Sequence, residues 1–138
     1  MITVFSIGYE DHTPETFVEA LRSHGVKQLV DVRVCTQTRT RGFSKTRLCA
    51  LLSSHGIRYQ HLCEAGARCR LRELSEESLG LYGEYVDRHG SIVHALAETV
   101  EYEPSAVMGF AADHSRCQRS VLLDRLCTRF PRVAVRKI

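Results

Sequence analysis

The residues best equipped for chemistry are gathered in Ala112-Asp-His-Ser-Arg-Cys-Gln-Arg-Ser120. This stretch leaves an apolar run and opens an amphipathic one, so it should lead from a strand into a helix. Unpaired backbone N–H groups and the positive end of the helix dipole would then point outward. Such an end binds phosphate or carboxylate. Arg116 and Arg119 would add charge, with Asp113 at the turn. Cys117 should have its thiolate favoured there, which would make it a nucleophile. The plainer alternative is an ordinary first turn, with Ser115 as cap, Arg119 in a surface pair and Cys117 packed inward.

A second group is Asp31-Val-Arg33, at the end of an otherwise apolar run. A carboxylate so placed is either a functional acid or the partner of Arg33, since charges near a strand core are rarely left unpaired. The following loop, Thr38-Arg-Thr-Arg-Gly-Phe-Ser-Lys45, supplies Arg39, Arg41 and Lys45. That composition suits a nucleotide or a single strand, with cations on phosphates and Phe43 free to stack. Its alternative is a solvent loop anchored by Phe43. His61 and Cys63 with Cys69 follow no standard zinc spacing, so no metal site is expected. Tyr9-Glu10-Asp11-His12 offers further acid–base groups.

All these groups fall at the ends of expected strands. Ile2–Ile7 is a β-branched and aromatic run closed by Gly8. Thr13-Pro14-Glu15 starts a helix, with Thr13 as cap and Pro14 at the first position, and the helix stops at His24-Gly25. A strand is expected over Gln28–Val34. A helix capped by Ser44 then runs through Leu48, Leu51 and Leu52 to His55-Gly56 and feeds a strand at Ile57–Leu62. After a polar loop, Cys63–Ser75, residues 76–102 read as two helices broken at Gly90 and closed by Pro104. Ala106–Ala111 is a fourth strand, a helix spans Cys117 to Phe130, and Val133–Ile138 is a fifth strand. Strands alternating with helices predict one α/β domain over residues 1–138. Its expected form is three layers, a mostly parallel sheet of about five strands with helices on both faces, Rossmann-like. In such sheets ligands gather outside the carboxyl ends of the strands.

The net charge of +3 hides a segregation. Residues 33–72 hold nine basic side chains and one acid, residues 73–113 nine acids and one base, and residues 114–138 seven bases and one acid. Arginine supplies 16 of the 19 bases, and its planar fork pairs bidentately with phosphate and carboxylate. Either these segments pair with one another across the fold, or the two basic ones form a face for an anionic partner. No run of residues approaches the roughly 20 apolar positions of a membrane span. The start reads as a strand rather than a secretion signal, so a cytoplasmic location with six reduced cysteines is expected. Cys49 and Cys127 are expected to pack as small hydrophobes.

The ordered motifs resemble the domain-of-unknown-function family 488, small α/β proteins of bacteria and archaea. Ser6-Ile-Gly-Tyr-Glu10 stands for the family's Thr-Ile-Gly-His-Ser opening, Leu29–Arg33 for its Leu-Val-Asp-Val-Arg strand, and Phe43-Ser-Lys45 for its Phe-Asn-Lys helix start. The family closes with Cys-Ala-Glu, Asp-Pro and Cys-His-Arg. Matching Cys117 and Arg119 to the last motif puts Gln118 at the histidine, and Gly109 and Ala111 at the cysteine and glutamate. Asp113 is kept, His114 replaces the proline, and Ala65-Gly66 replaces a Gly-Gly. If that glutamate and histidine form an acid–base pair, this chain lacks both. The resemblance implies a fold and a site, not a reaction.

The leading expectation is a domain binding a phosphorylated or nucleic-acid-derived ligand at Asp31, Arg33, Arg116, Cys117 and Arg119. Asp31 and Cys117 are its catalytic candidates if it is an enzyme. The alternatives are a non-catalytic module for nucleic acid or an acidic protein, and a thiol redox or transfer role at Cys117. No cofactor or oligomeric state is legible.

Overall fold

The five apolar runs become five parallel strands. In a computed structural model, which describes residues 1–66 and 75–138, they are β1 (Ile2–Gly8), β2 (Gln28–Asp31), β3 (Arg58–His61), β4 (Ser105–Gly109) and β5 (Val133–Lys137). The helices between them are α1 (Pro14–Ser23), α2 (Lys45–Ser54), α3 (Glu76–Arg88), α4 (Gly90–Tyr102) and α5 (Gln118–Arg129). The sheet order is β3-β2-β4-β1-β5, every pairing parallel. The α/β expectation therefore holds, and all five strands fall within a residue or a few of their expected limits. Cys69 and most of the polar loop lie outside the described residues.

Alternation along the strands divides the core in two. Val4, Val30 and Val107 pack with α3, α4 and α5 through Val86, Leu96 and Leu122. Phe5, Ile7, Leu29 and Met108 face the other way, onto Phe17 and Leu21 of α1 and Leu48 and Leu52 of α2. Two helices thus cover one face and three the other, as right-handed crossovers require. The connections leaving β1 and β2 pass over the two-helix face toward β3. The connection leaving β4, through α5, passes over the opposite face to β5. The chain diverges at the carboxyl end of β4, where open α/β sheets form their crevices.

Local chemistry sets the element ends. Thr13 caps α1 in a reciprocal capping box with Thr16, and Pro14 opens the helix. Ser44 stands at the N-cap of α2 but makes no capping bond. Its hydroxyl instead donates to the Thr38 carbonyl and accepts from the Thr38 amide, so the expected cap closes a loop. The strand expected to reach Val34 stops at Asp31. The Val32 amide still reaches the Met108 carbonyl at 3.3 Å, and the chain then turns so that Arg33 can fold back onto Asp31. Cys49, expected to pack inward, is exposed, and Cys127 is only partly buried. The helical register of α2 gives its inner face to Leu48 and Leu52. No described helix is long and apolar enough to cross a membrane.

Candidate functional site

Asp31 and Arg33 form a buried unit on the two-helix side of the sheet. Asp31 pairs in register with Met108 and is 0% exposed. Its Oδ1 accepts from the Arg33 Nε at 2.9 Å and the Arg33 amide at 3.1 Å, while Oδ2 accepts from Nη2 at 2.9 Å. The Tyr59 hydroxyl donates to Oδ2 as well. Burial disfavours the Arg33 cation, but the bonds and charge of Asp31 outweigh it and hold its pKa above the ordinary value. Burial, then the bond to Asp31, pushes Tyr59 up. Every charge here has its partner, and Arg33 has one more task. Its Nη1 donates to the Phe43 carbonyl at 2.8 Å, tying the basic loop to the end of β2.

That loop forms an open groove of about 550 Å³. Arg39, Arg41 and Arg47 line it with the hydroxyl-bearing Thr38, Thr40 and Thr46. Arg39, Arg41, Lys45 and Arg47 are exposed, and none has an ion-pair partner among the described residues. The first turn of α2 carries no acid and no side-chain cap, so Lys45 and Arg47 sit against the positive end of the helix dipole. Like charge placed there is unfavourable, and a bound anion relieves it. Phe43 is 0% exposed, stacked on Tyr9 at 4.8 Å and edge-on to Phe17 at 5.2 Å. It anchors the loop and offers no face to a ligand.

The C-terminal basic segment behaves differently. Arg125 pairs with Asp87 and Asp124, and Arg132 with Glu101. Segment 114–138 thus meets the acidic segment across the fold, whereas 39–47 meets no acid among the described residues. Among the described residues, the 39–47 stretch leads into α2 on the two-helix side, whereas Arg125 lies on α5 on the other side.

The corner at 113–119 is closed from within. Asp113 caps a short 3-10 turn, His114–Arg116, by accepting from the Ser115 amide and hydroxyl. Those bonds hold its carboxyl below the usual range. Arg116 lies exposed on that turn. Arg119, however, points inward and is 1% exposed. Its Nε donates to Ser6 Oγ at 2.9 Å, Nη1 to Cys117 Sγ at 3.1 Å and Nη2 to the Ala111 carbonyl at 2.8 Å. Burial lowers its pKa, with Cys117 and Asp113 opposing. Ser6 Oγ also shares a hydrogen bond with His114 Nδ1 at 2.6 Å. Burial first, then the charges of Arg119 and Lys137, depress His114 to about 4, so the ring is neutral at pH 7.

Cys117 is 2% exposed, and its thiol donates to Gln118 Oε1 at 3.1 Å. Gln118 in turn donates to the Val32 carbonyl at 3.2 Å, linking the corner to the end of β2. Two glycines close this packing. A Cβ on Gly8 would stand 1.9 Å from the Ala111 carbonyl oxygen, and one on Gly109 would stand 2.7 Å from Cys117 Sγ and 2.9 Å from Arg119 Nη1.

Among the described residues, no hydrogen bond or ion pair joins Asp31 or Arg33 to Cys117 or Arg119. Asp31 and Arg33 serve the loop on one side, and Cys117 and Arg119 fill the corner on the other. Arg39 and Arg41 do share the groove, Arg47 and Thr46 join them there, and Lys45 is exposed beside it on the first turn of α2. Arg47 and Thr46 were readable as polar positions in the first turn of a helix. Ser6 and His114 also escaped sequence reasoning, although a serine inside the apolar run Val4–Ile7 was a visible signal. At the first exit, Glu10 accepts from the Ala112 amide and His12 bonds Thr16. His61 donates from Nε2 to the Arg33 carbonyl at 2.7 Å.

No curated protein and no solved structure matches this chain. A family model, the domain of unknown function DUF488, matches residues 13–126. That span runs from the cap of α1 into α5 and takes in both the basic groove and the arginine corner, so the chain belongs to the DUF488 family.

Proposed function

We propose that this protein is an anion-binding α/β domain whose ligand carries phosphate and docks in the groove at the exit of β2. The observation that carries this reading is the set of three exposed cations lining the groove, Arg39, Arg41 and Arg47, with Lys45 exposed beside them, all without a carboxylate partner among the described residues. Arginine forks and threonine hydroxyls are the donors that phosphate oxygens accept. Binding is favoured over catalysis because Asp31 and Cys117, the candidate acid and nucleophile, are buried with their polar atoms bonded. Three exposed free thiols, Cys35, Cys49 and Cys63, suit a reducing, cytoplasmic setting.

Calorimetry with pyrophosphate at low salt tests the reading. Replacing Arg39, Arg41 and Arg47 by Ala together should weaken binding at least about tenfold, since each exposed pair contributes roughly 0.5–1 kcal/mol. Unchanged affinity in that variant would remove the groove as the site.

A further inference from the structure

We propose that the groove takes the sugar-phosphate backbone of a single-stranded nucleic acid, engaging several consecutive phosphates without reading the bases. This rests on the groove being a phosphate site. Three observations narrow the ligand class. First, the lining cations are spread, with Arg39 and Arg41 on the loop and Arg47 on the first turn of α2, and Lys45 is exposed beside them. A spread of charges meets successive phosphates better than one compact phosphate group. Second, the lining holds neither an aromatic ring nor a carboxylate or amide side chain. Base reading needs a stacking face or hydrogen bonds to a base edge. Phe43, the aromatic nearest in sequence, is wedged between Tyr9 and Phe17. Third, the site is concave and open. Duplex readers instead project a helix or ribbon into the DNA groove, whereas a flexible strand can follow a cationic trough.

The buried unit below fixes the trough in place. Arg33 holds the Phe43 carbonyl, and Ser44 ties the loop back to Thr38. The loop therefore presents its cations from a braced backbone, which lowers the ordering cost of binding.

Fluorescence anisotropy with labelled oligothymidylates of increasing length, alongside pyrophosphate calorimetry, separates the possibilities. Affinity should rise with length and level off once the groove is filled, and oligoadenylate should bind within about threefold of oligothymidylate. The slope of log affinity against log salt should be about −2 to −3, from three or four phosphates at about 0.7 each. Removing Arg39, Arg41 and Arg47 together should cut the slope by about 2 with the melting temperature unchanged, because these side chains have no partner among the described residues. Equal affinity for a nucleoside triphosphate and a long oligonucleotide would overturn the strand reading while leaving the phosphate site intact. Tighter binding to duplex DNA, to polyglutamate or to anionic phosphatidylserine vesicles would overturn it too. Loss of pyrophosphate binding together with strand binding at an unchanged slope would place any strand elsewhere on the protein.

Discussion

Replacing Asp31 by Asn probes how the core holds the groove. The change keeps size and one acceptor but removes the charge that Arg33 faces at 2.9 Å through both Nε and Nη2. Both side chains are buried, at 0% and 6% exposure. Breaking such a pair from one side typically costs 3–5 kcal/mol, because the remaining ion stays buried without compensation. The amide retains one acceptor, so the lower end applies, about 3 kcal/mol and a fall in melting temperature of roughly 10 °C for a domain of this size. The double change Asp31→Leu with Arg33→Met removes both charges and should cost only about 1–2 kcal/mol. Stability and binding should then part company. The double variant lacks the Arg33 bond to the Phe43 carbonyl, so its loop loses the brace and its pyrophosphate affinity should fall despite the recovered stability. Urea denaturation gives the first quantity and calorimetry the second. A cost below about 1 kcal/mol for Asp31→Asn, or full affinity in the double variant, would refute the brace.

His114, held near 4 against an unfolded value of 6.5, makes the fold acid-sensitive: the unfolded chain takes up a proton that the folded ring refuses. Stability is whole above pH 6.5 and declines as pH falls toward 4. The ring is half-buried, so roughly 1.5 kcal/mol should go, and His114→Asn should flatten that limb of a pH series of denaturation curves. Gly109→Ala should cost about 1–3 kcal/mol, because its Cβ would meet Cys117 and Arg119. Arg119→Ala should cost more, about 3–5 kcal/mol, from three lost bonds and a buried void, and should spare pyrophosphate affinity at temperatures where the variant is folded; thermal melts and calorimetry check both. A thiol reagent should label exposed Cys49 quickly and Cys117 only at the rate of local opening, read by mass mapping of partly labelled protein; comparable rates would contradict the buried corner.

The order of elements was legible because each carries its own local signal. Thr13-Pro14 opens α1 as composition demands, and the β-branched runs became strands. The sides on which side chains meet were not legible, because they depend on where β4 inserts. Read in sequence order, Asp31 and Arg119 both stand at strand exits and invite a common pocket. Once β4 enters between β2 and β1, alternation sends Asp31 toward the α1–α2 side and Ser6, with its partner Arg119, toward α5. Ser44 shows the same limit at short range. Its position as N-cap was correct, but a loop carbonyl six residues earlier competes for its hydroxyl, and that contact exists only after the loop has folded.

The corner also shows how arginine is used at the exit of β4, in contrast to the exit of β2. Family resemblance places a cysteine at Gly109, a glutamate at Ala111 and a histidine at Gln118. Here the missing Cβ at 109 leaves room that Arg119 and Cys117 occupy. Arg119 bonds the Ala111 carbonyl, and Gln118 bonds the Val32 carbonyl. The arginine that helix physics would aim at an anion is consumed by Ser6, Cys117 and Ala111. At β2 the reverse holds: Asp31 and Arg33 neutralise one another below the surface, and the four cations above them have no partner among the described residues. On the proposed reading, an anion meeting this edge of the sheet would find its donors on the 38–47 loop, while the buried Arg119 is held by the corner itself.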